Sequence, residues 1–129
     1  MKNKDSKNLE DWFKKADNDL VFAKAGFKET KIPSIACFLS QQVVEKTLKG
    51  FLLSKDKSFK KTHNLINLLD KCVLSNEELG KFYEACRKLN KYYNPARYPD
   101  DVFIDYTEED ATEALELAEK ITLFIKKLN

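Results

Sequence analysis

A chain of 129 residues is long enough to bury one hydrophobic core and too short for two, so a single domain over residues 1–129 is expected. With 43% hydrophobic and 34% charged residues the composition excludes a disordered tail, and three Gly and three Pro are too few for the turns of a β-sandwich. The net charge of +2 is too small to advertise DNA or an anionic membrane as partner, but residues 1–64 hold 14 Lys against 8 acids and residues 65–129 hold 9 Lys or Arg against 13 acids. That asymmetry suits internal packing, head-to-tail contact with a second copy, or an anionic ligand on the basic half.

The residues Met1 to Lys7 carry charge with no apolar segment behind them, so neither a signal peptide nor an anchor is expected there. No apolar run approaches the ~18 residues of a membrane span, and a cytoplasmic location is expected. Leu9, Trp12, Phe13, Ala16, Leu20, Ala23 and Phe27 recur at three and four, which predicts a first helix from about Asn8, as N-cap, to Phe27. Phe38, Val44, Leu48, Phe51 and Leu52 predict a second from Ile35 to Leu53, with Gln42, Glu45, Lys46 and Lys49 on another face. Gln41 falls on its apolar side, where a structural amide needs hydrogen-bond partners.

Ser54 to Lys61 reads as a solvated lysine-rich loop, after which Thr62 is placed to cap a short third helix carrying Leu65, Ile66, Leu68, Leu69 and Cys72. Ser75-Asn76-Glu77-Glu78 has capping-box form and opens a fourth helix with Leu79, Phe82, Tyr83, Cys86, Leu89 and Tyr93 on its stripe, ended by Asn94-Pro95. Residues 96–106 read as irregular. Thr107 with Asp110 starts a fifth helix patterned by Ala111, Ala114, Leu115, Ala118, Ile121, Phe124 and Leu128. The expectation is an all-α, five-helix domain on an up-and-down four-helix bundle, with the short third helix as an extra element. Cys37, Cys72 and Cys86 lie in apolar patterns without a C-x-x-C pair and read as reduced core residues; no metal site and no cofactor are expected.

If the second, third and fourth helices alternate in direction, Lys49, His63 and Arg97 meet at one pole. Lysines, a histidine at a helix start with free backbone N–H groups, and an arginine are phosphate-binding chemistry. The candidate nucleotide or phosphate ligands are therefore Lys46, Lys49, His63, Arg97 and Tyr98, the tyrosine packing on a base or sugar. Tyr93, on the fourth stripe, reads as core. His63 is the single histidine, and by spacing alone it completes no metal or nucleophile set. Asp100 and Asp101, adjacent in a turn, read as capping or solvated carboxylates rather than an acid pair.

Four signatures in order resemble the HEPN domain family: Trp12 with Ala16 and Asp19-Leu20; Gln41-Gln42-x-x-Glu45-Lys46-x-x-Lys49; Thr62-His63-x-Leu65; and Arg97-Tyr98-Pro99-Asp100. The resemblance implies a five-helix domain on a four-helix bundle, commonly a homodimer, often encoded beside a minimal nucleotidyltransferase and associated with nucleotides or RNA. Many members are metal-independent ribonucleases, several of them toxins of toxin–antitoxin pairs, with an R-x4-6-H motif. Here no histidine follows Arg97 or Arg87, so the chain is similar to the R-Y-P branch lacking that motif. The resulting expectation is a non-catalytic, dimeric nucleotide- or RNA-binding module acting with a nucleotidyltransferase. Two alternatives are a ribonuclease toxin using His63 and Arg97, and a ligand-free dimeric adaptor presenting Ile35 and Phe38.

Overall fold

A computed structural model describes residues 2–93 and 106–128, with side chains from Leu9 onward. Its helices are α1 (Lys2–Thr30), α2 (Pro33–Ser54), α3 (Leu65–Ser75), a 3-10 segment (Glu77–Phe82) running into α4 (Tyr83–Asn90), and α5 (Glu108–Lys127). The first helix begins well before the predicted Asn8 cap, because neither Gly nor Pro stands between Lys2 and Asn8 to stop it. It ends where Lys31 turns to φ 58° and its N–H bonds Phe27 O at 2.8 Å. Pro33 then supplies the first turn of α2, where its missing N–H costs nothing.

Helix α2 is the hub and touches α1, α3, α4 and α5. Its Val43, Val44, Leu48, Phe51 and Leu52 are fully buried, and with Gln41, Glu45, Thr47 and Lys49 also buried the helix is enclosed around most of its circumference. Paired contacts give the directions of the others. Asp19 reaches Lys46 while a Cβ on Gly50 would sit 2.9 Å from Phe13, so α1 runs antiparallel to α2. That glycine is what lets the Phe13 ring lie against the α2 backbone. Lys24 bonds Glu119 and Lys126 bonds Asp17, so α5 is antiparallel to α1. Lys88–Glu113 and the Phe82–Phe124 ring pair set α4 antiparallel to α5.

The third helix departs from the expected alternation. Gln41 meets His63, and Cys72 Sγ lies 3.7 Å from Leu48 O, so α3 runs parallel to α2. The cause is residues 55–64, which turn at Asp56 (φ 55°) and return along α2. Moving back from Ser54 to Gln41 is roughly 20 Å of helix, within the roughly 33 Å reach of ten extended residues. The start of α3 and the end of α4 consequently arrive at the middle of α2 and not at its C-terminal pole.

Caps refine the predicted boundaries. Asn64, and not Thr62, caps α3: its Oδ1 accepts from Ile66 N at 2.9 Å and Asn67 N at 3.4 Å. Asn76, one residue beyond Ser75, caps the 3-10 segment by accepting from Glu78 N at 3.0 Å. The predicted Thr107–Asp110 capping box is present in both directions, at 3.0 and 2.9 Å. At the end of α4 the turn tightens, with Tyr92 N bonding Leu89 O and Tyr93 N bonding Asn90 O. Three residues per turn put Tyr92 in line with Leu89, so Tyr92 is the core tyrosine and Tyr93, expected there from a four-residue step, is only half-buried.

Candidate functional site

The polar center lies on the flank of α2. Glu45 is almost fully buried, with 5% of its side chain exposed. Three groups converge on it: Lys49 Nζ donates to Oε2 at 2.9 Å, His63 Nδ1 lies 3.0 and 3.1 Å from the two oxygens, and Gln41 Nε2 donates a long bond to Oε1 at 3.5 Å. Lys49 is one helical turn onward on the same face and is itself buried, its ammonium 5.4 Å from the center of the Trp12 ring and 5.5 Å from that of Phe59. Trp12 and Phe59 pack edge to face at 6.1 Å, so α1 and the returning loop close over the lysine together.

Gln41 has the structural role expected of it and more. Its Nε2 donates to His63 O at 2.9 Å and its Oε1 accepts from Gln42 Nε2 at 2.7 Å, which anchors the histidine's backbone to α2. The His63 ring stacks on Tyr93 with centroids 4.3 Å apart and planes 16° apart, and Phe38 continues the aromatic row 6.3 Å beyond Tyr93. His63 keeps 45% of its side chain exposed, so it stands between a buried acid and the surface.

Beside it opens a hollow of about 450 Å³ lined by Lys61, Thr62, His63, Asn64, Asn90 and Tyr93. A second hollow of about 470 Å³, flanked by Lys60, Lys61 and Lys71, adjoins it through Lys61 and Thr62. The first N–H groups of α3 are not free, contrary to expectation. Leu65 N bonds Asn90 Oδ1 at 2.8 Å, the next two bond Asn64, and Asn90 Nδ2 ties the two asparagines together at 3.1 Å. Anion affinity here has to come from side chains.

The candidate residues thus separate. Lys49 and His63 do meet, through Glu45. Lys46 instead reaches across to Asp19 on α1, half-buried. Arg97 and Tyr98, like Asp100 and Asp101, lie outside the described residues. Lys55, Lys57, Lys60 and Lys61 are exposed, as expected. Glu45, the residue on which the site turns, and Phe59 were not among the candidates. The i, i+4 spacing of Glu45 and Lys49 was the available signal for the first; nothing local marks Phe59. Among the described residues no group of three or more His, Cys, Asp or Glu is placed to hold a metal ion, and no helix is long and apolar enough to cross a membrane.

An all-α bundle whose central helix carries a buried acid beneath a surface histidine is a small helical domain with a cross-helix polar site. More particularly, the chain belongs to the HEPN domain family, whose model matches residues 9–128. It is 28% identical over 129 aligned positions to a Methanocaldococcus jannaschii protein named "Putative toxin MJ1304", covering 89% of this chain and 84% of that one. Two solved structures share the fold. An archaeal HEPN homologue, ST0689, superposes with a TM-score of 0.74 at 34% identity, over 93% of this chain and 96% of its own. TT1696 from Thermus thermophilus gives 0.80 at 33% identity, over 92% and 96%.

Proposed function

We propose that this HEPN domain is a non-catalytic nucleotide- or RNA-binding module that receives its ligand in the hollow beside His63, acting as a homodimer with a nucleotidyltransferase partner. The observation that carries the reading is the half-exposed His63 ring, held from below by buried Glu45 and from the side by Tyr93, at the edge of two adjoining hollows bordered by Lys60 and Lys61. An imidazole with one nitrogen committed inward and the other edge turned to a basic hollow suits a ligand that carries both hydroxyls and phosphate. Lys49 supports this indirectly: paired with Glu45 and buried, it balances the acid, while the exposed Lys60 and Lys61 are left for phosphate. The dimer and the nucleotidyltransferase partner follow from the family resemblance.

Calorimetry on the full chain with ATP, GTP and a short RNA tests the reading. Binding is expected in the wild type, weakening as salt rises, and both His63→Ala and Arg97→Ala are expected to weaken it about tenfold or more. No heat with any of the three in the wild type sinks it.

A ribonuclease reading is favored by one observation, the carboxylate–imidazole pair of Glu45 and His63, which is the arrangement a general base requires, and by the name of the archaeal relative. Cleavage of total RNA that disappears in His63→Ala would establish it. Intact RNA after long incubation with the wild type removes it.

A further inference from the structure

Both oxygens of Glu45 lie against His63 Nδ1, at 3.0 and 3.1 Å, and a carboxylate only accepts hydrogen bonds. Nδ1 must therefore carry hydrogen whether the ring is neutral or charged. A neutral imidazole has one N–H, so with Nδ1 occupied its Nε2 is a bare acceptor. A flip of the ring would put a C–H against the carboxylate and forfeit both contacts, and neighboring groups hold the two residues in this arrangement. Gln41 holds the His63 carbonyl at 2.9 Å, Tyr93 covers one face at 4.3 Å, and Lys49 pins the Glu45 carboxylate at 2.9 Å.

We propose that Glu45 is a positioning residue that fixes His63 as the Nδ1–H tautomer, so that Nε2 meets a bound nucleotide as an acceptor and takes a ribose hydroxyl rather than a phosphate oxygen. This rests on the nucleotide reading above and adds to it a division of labor. An ionized phosphate oxygen has no hydrogen to give and is repelled by the Nε2 lone pair, whereas a sugar hydroxyl donates to it. Phosphate is then held by the lysines that border the hollows, Lys60 and Lys61. The titratable groups around the ring are Glu45 and Lys49 from α2, Tyr93 from the segment after α4, and Lys61 across the hollow. The site distinguishes nucleotides whose sugar carries a 2′- or 3′-hydroxyl from those that lack both.

Because the chain has a single histidine, long-range ¹H–¹⁵N spectra of the full-length protein labeled at histidine read its two ring nitrogens directly. At about pH 8 the wild type is expected to show a protonated Nδ1 and a bare Nε2. The opposite tautomer, or an even mixture, overturns the positioning role. In Glu45→Gln the amide both donates and accepts, so the tautomer is expected to relax toward a mixture, a change that a purely structural role would not produce; the wild-type spectrum decides the matter if that variant does not fold. At the same pH, AMP is expected to bind about tenfold more tightly than 2′,3′-dideoxy-AMP, and the gap is expected to close in His63→Phe. Equal affinities in the wild type overturn the ribose role and leave the nucleotide reading standing. Failure of both ligands to bind overturns the ribose role, and the nucleotide- or RNA-binding reading then stands or falls by the calorimetry above, while the ring spectrum still decides what Glu45 does.

Discussion

Replacing Glu45 with alanine is expected to destabilize the domain by about 3–5 kcal/mol, because it strands the Lys49 ammonium in a buried position with no counter-charge. Both side chains are about 5% exposed, and Lys49 is enclosed by Trp12 and Phe59, so water cannot replace the lost carboxylate without opening the contact between α1 and the 55–64 loop. The loss corresponds to a fall of roughly 10–20 °C in the thermal midpoint. The cost belongs to the stranded charge more than to any net value of the pair. The apolar replacement Glu45→Leu with Lys49→Met is therefore expected to be more stable than Glu45→Ala alone. Urea unfolding of the three proteins checks both statements. A loss below about 1 kcal/mol for Glu45→Ala would mean that the pair is solvated, as surface ion pairs are.

A second large effect is expected at alkaline pH. Burial pushes the Cys72 and Cys86 thiols up to about 12 and that of Cys37 up to about 11, where a hydrogen bond with Tyr92 offsets part of the effect. The Cys72 Sγ contact with Leu48 O, at 3.7 Å, is one a protonated thiol makes as donor. Burial also raises the Tyr92 hydroxyl. The folded state thus keeps protons that the unfolded chain gives up, so stability is full below the ordinary thiol value of 9.0 and falls as the pH rises from there toward 11–12. Each thiol contributes a slope of about 1.4 kcal/mol per pH unit, and the three together remove about 4 kcal/mol by about pH 10. Unfolding measured between about pH 8 and 10.5 is expected to show this decline, with a slope reduced by roughly two-thirds in Cys72→Ala/Cys86→Ala. A decline that is as steep without these two thiols would assign the lability to other groups.

The helices were legible because their signals are local. The three-and-four spacing of Leu9, Trp12, Phe13 and Ala16, or of Ala111, Ala114 and Ala118, needs no knowledge of what lies opposite, and the Thr107–Asp110 box is complete within four residues. Directions were less accessible. Nothing in residues 55–64 announces that the loop runs back along α2, and the alternation rule for neighboring helices fails because this connection is long enough to return. His63 and Lys49 were expected together at the end of α2 and instead meet at its flank, brought there by the returning loop. The exchange of Tyr92 and Tyr93 has a similar origin, since a single tightened turn after Asn90 rotates the stripe by one residue. Glu45 stayed hidden because its spacing to Lys49 looks the same on a solvated helix face as in a buried pair. Only the packing of Trp12, Phe59 and His63 around it makes the difference, and those residues come from α1 and from the returning loop.

The arrangement also explains why basic residues near the site are not equivalent. Lys49 and Lys46 are each committed to a carboxylate, on α2 and α1 respectively, whereas Lys60 and Lys61 face solvent beside the hollows. On the proposed reading a ligand would meet Lys60 and Lys61, and would sense Lys49 only through the geometry it imposes on Glu45.

The most direct measurement follows the carbon-bound ring protons of His63 and Tyr93 while a short oligoribonucleotide is added to the wild-type protein. A ligand seated beside His63 is expected to shift both rings together, with saturation at the affinity found by calorimetry. Saturable binding that leaves the His63 ring unmoved would contradict this and place the ligand elsewhere on the molecule.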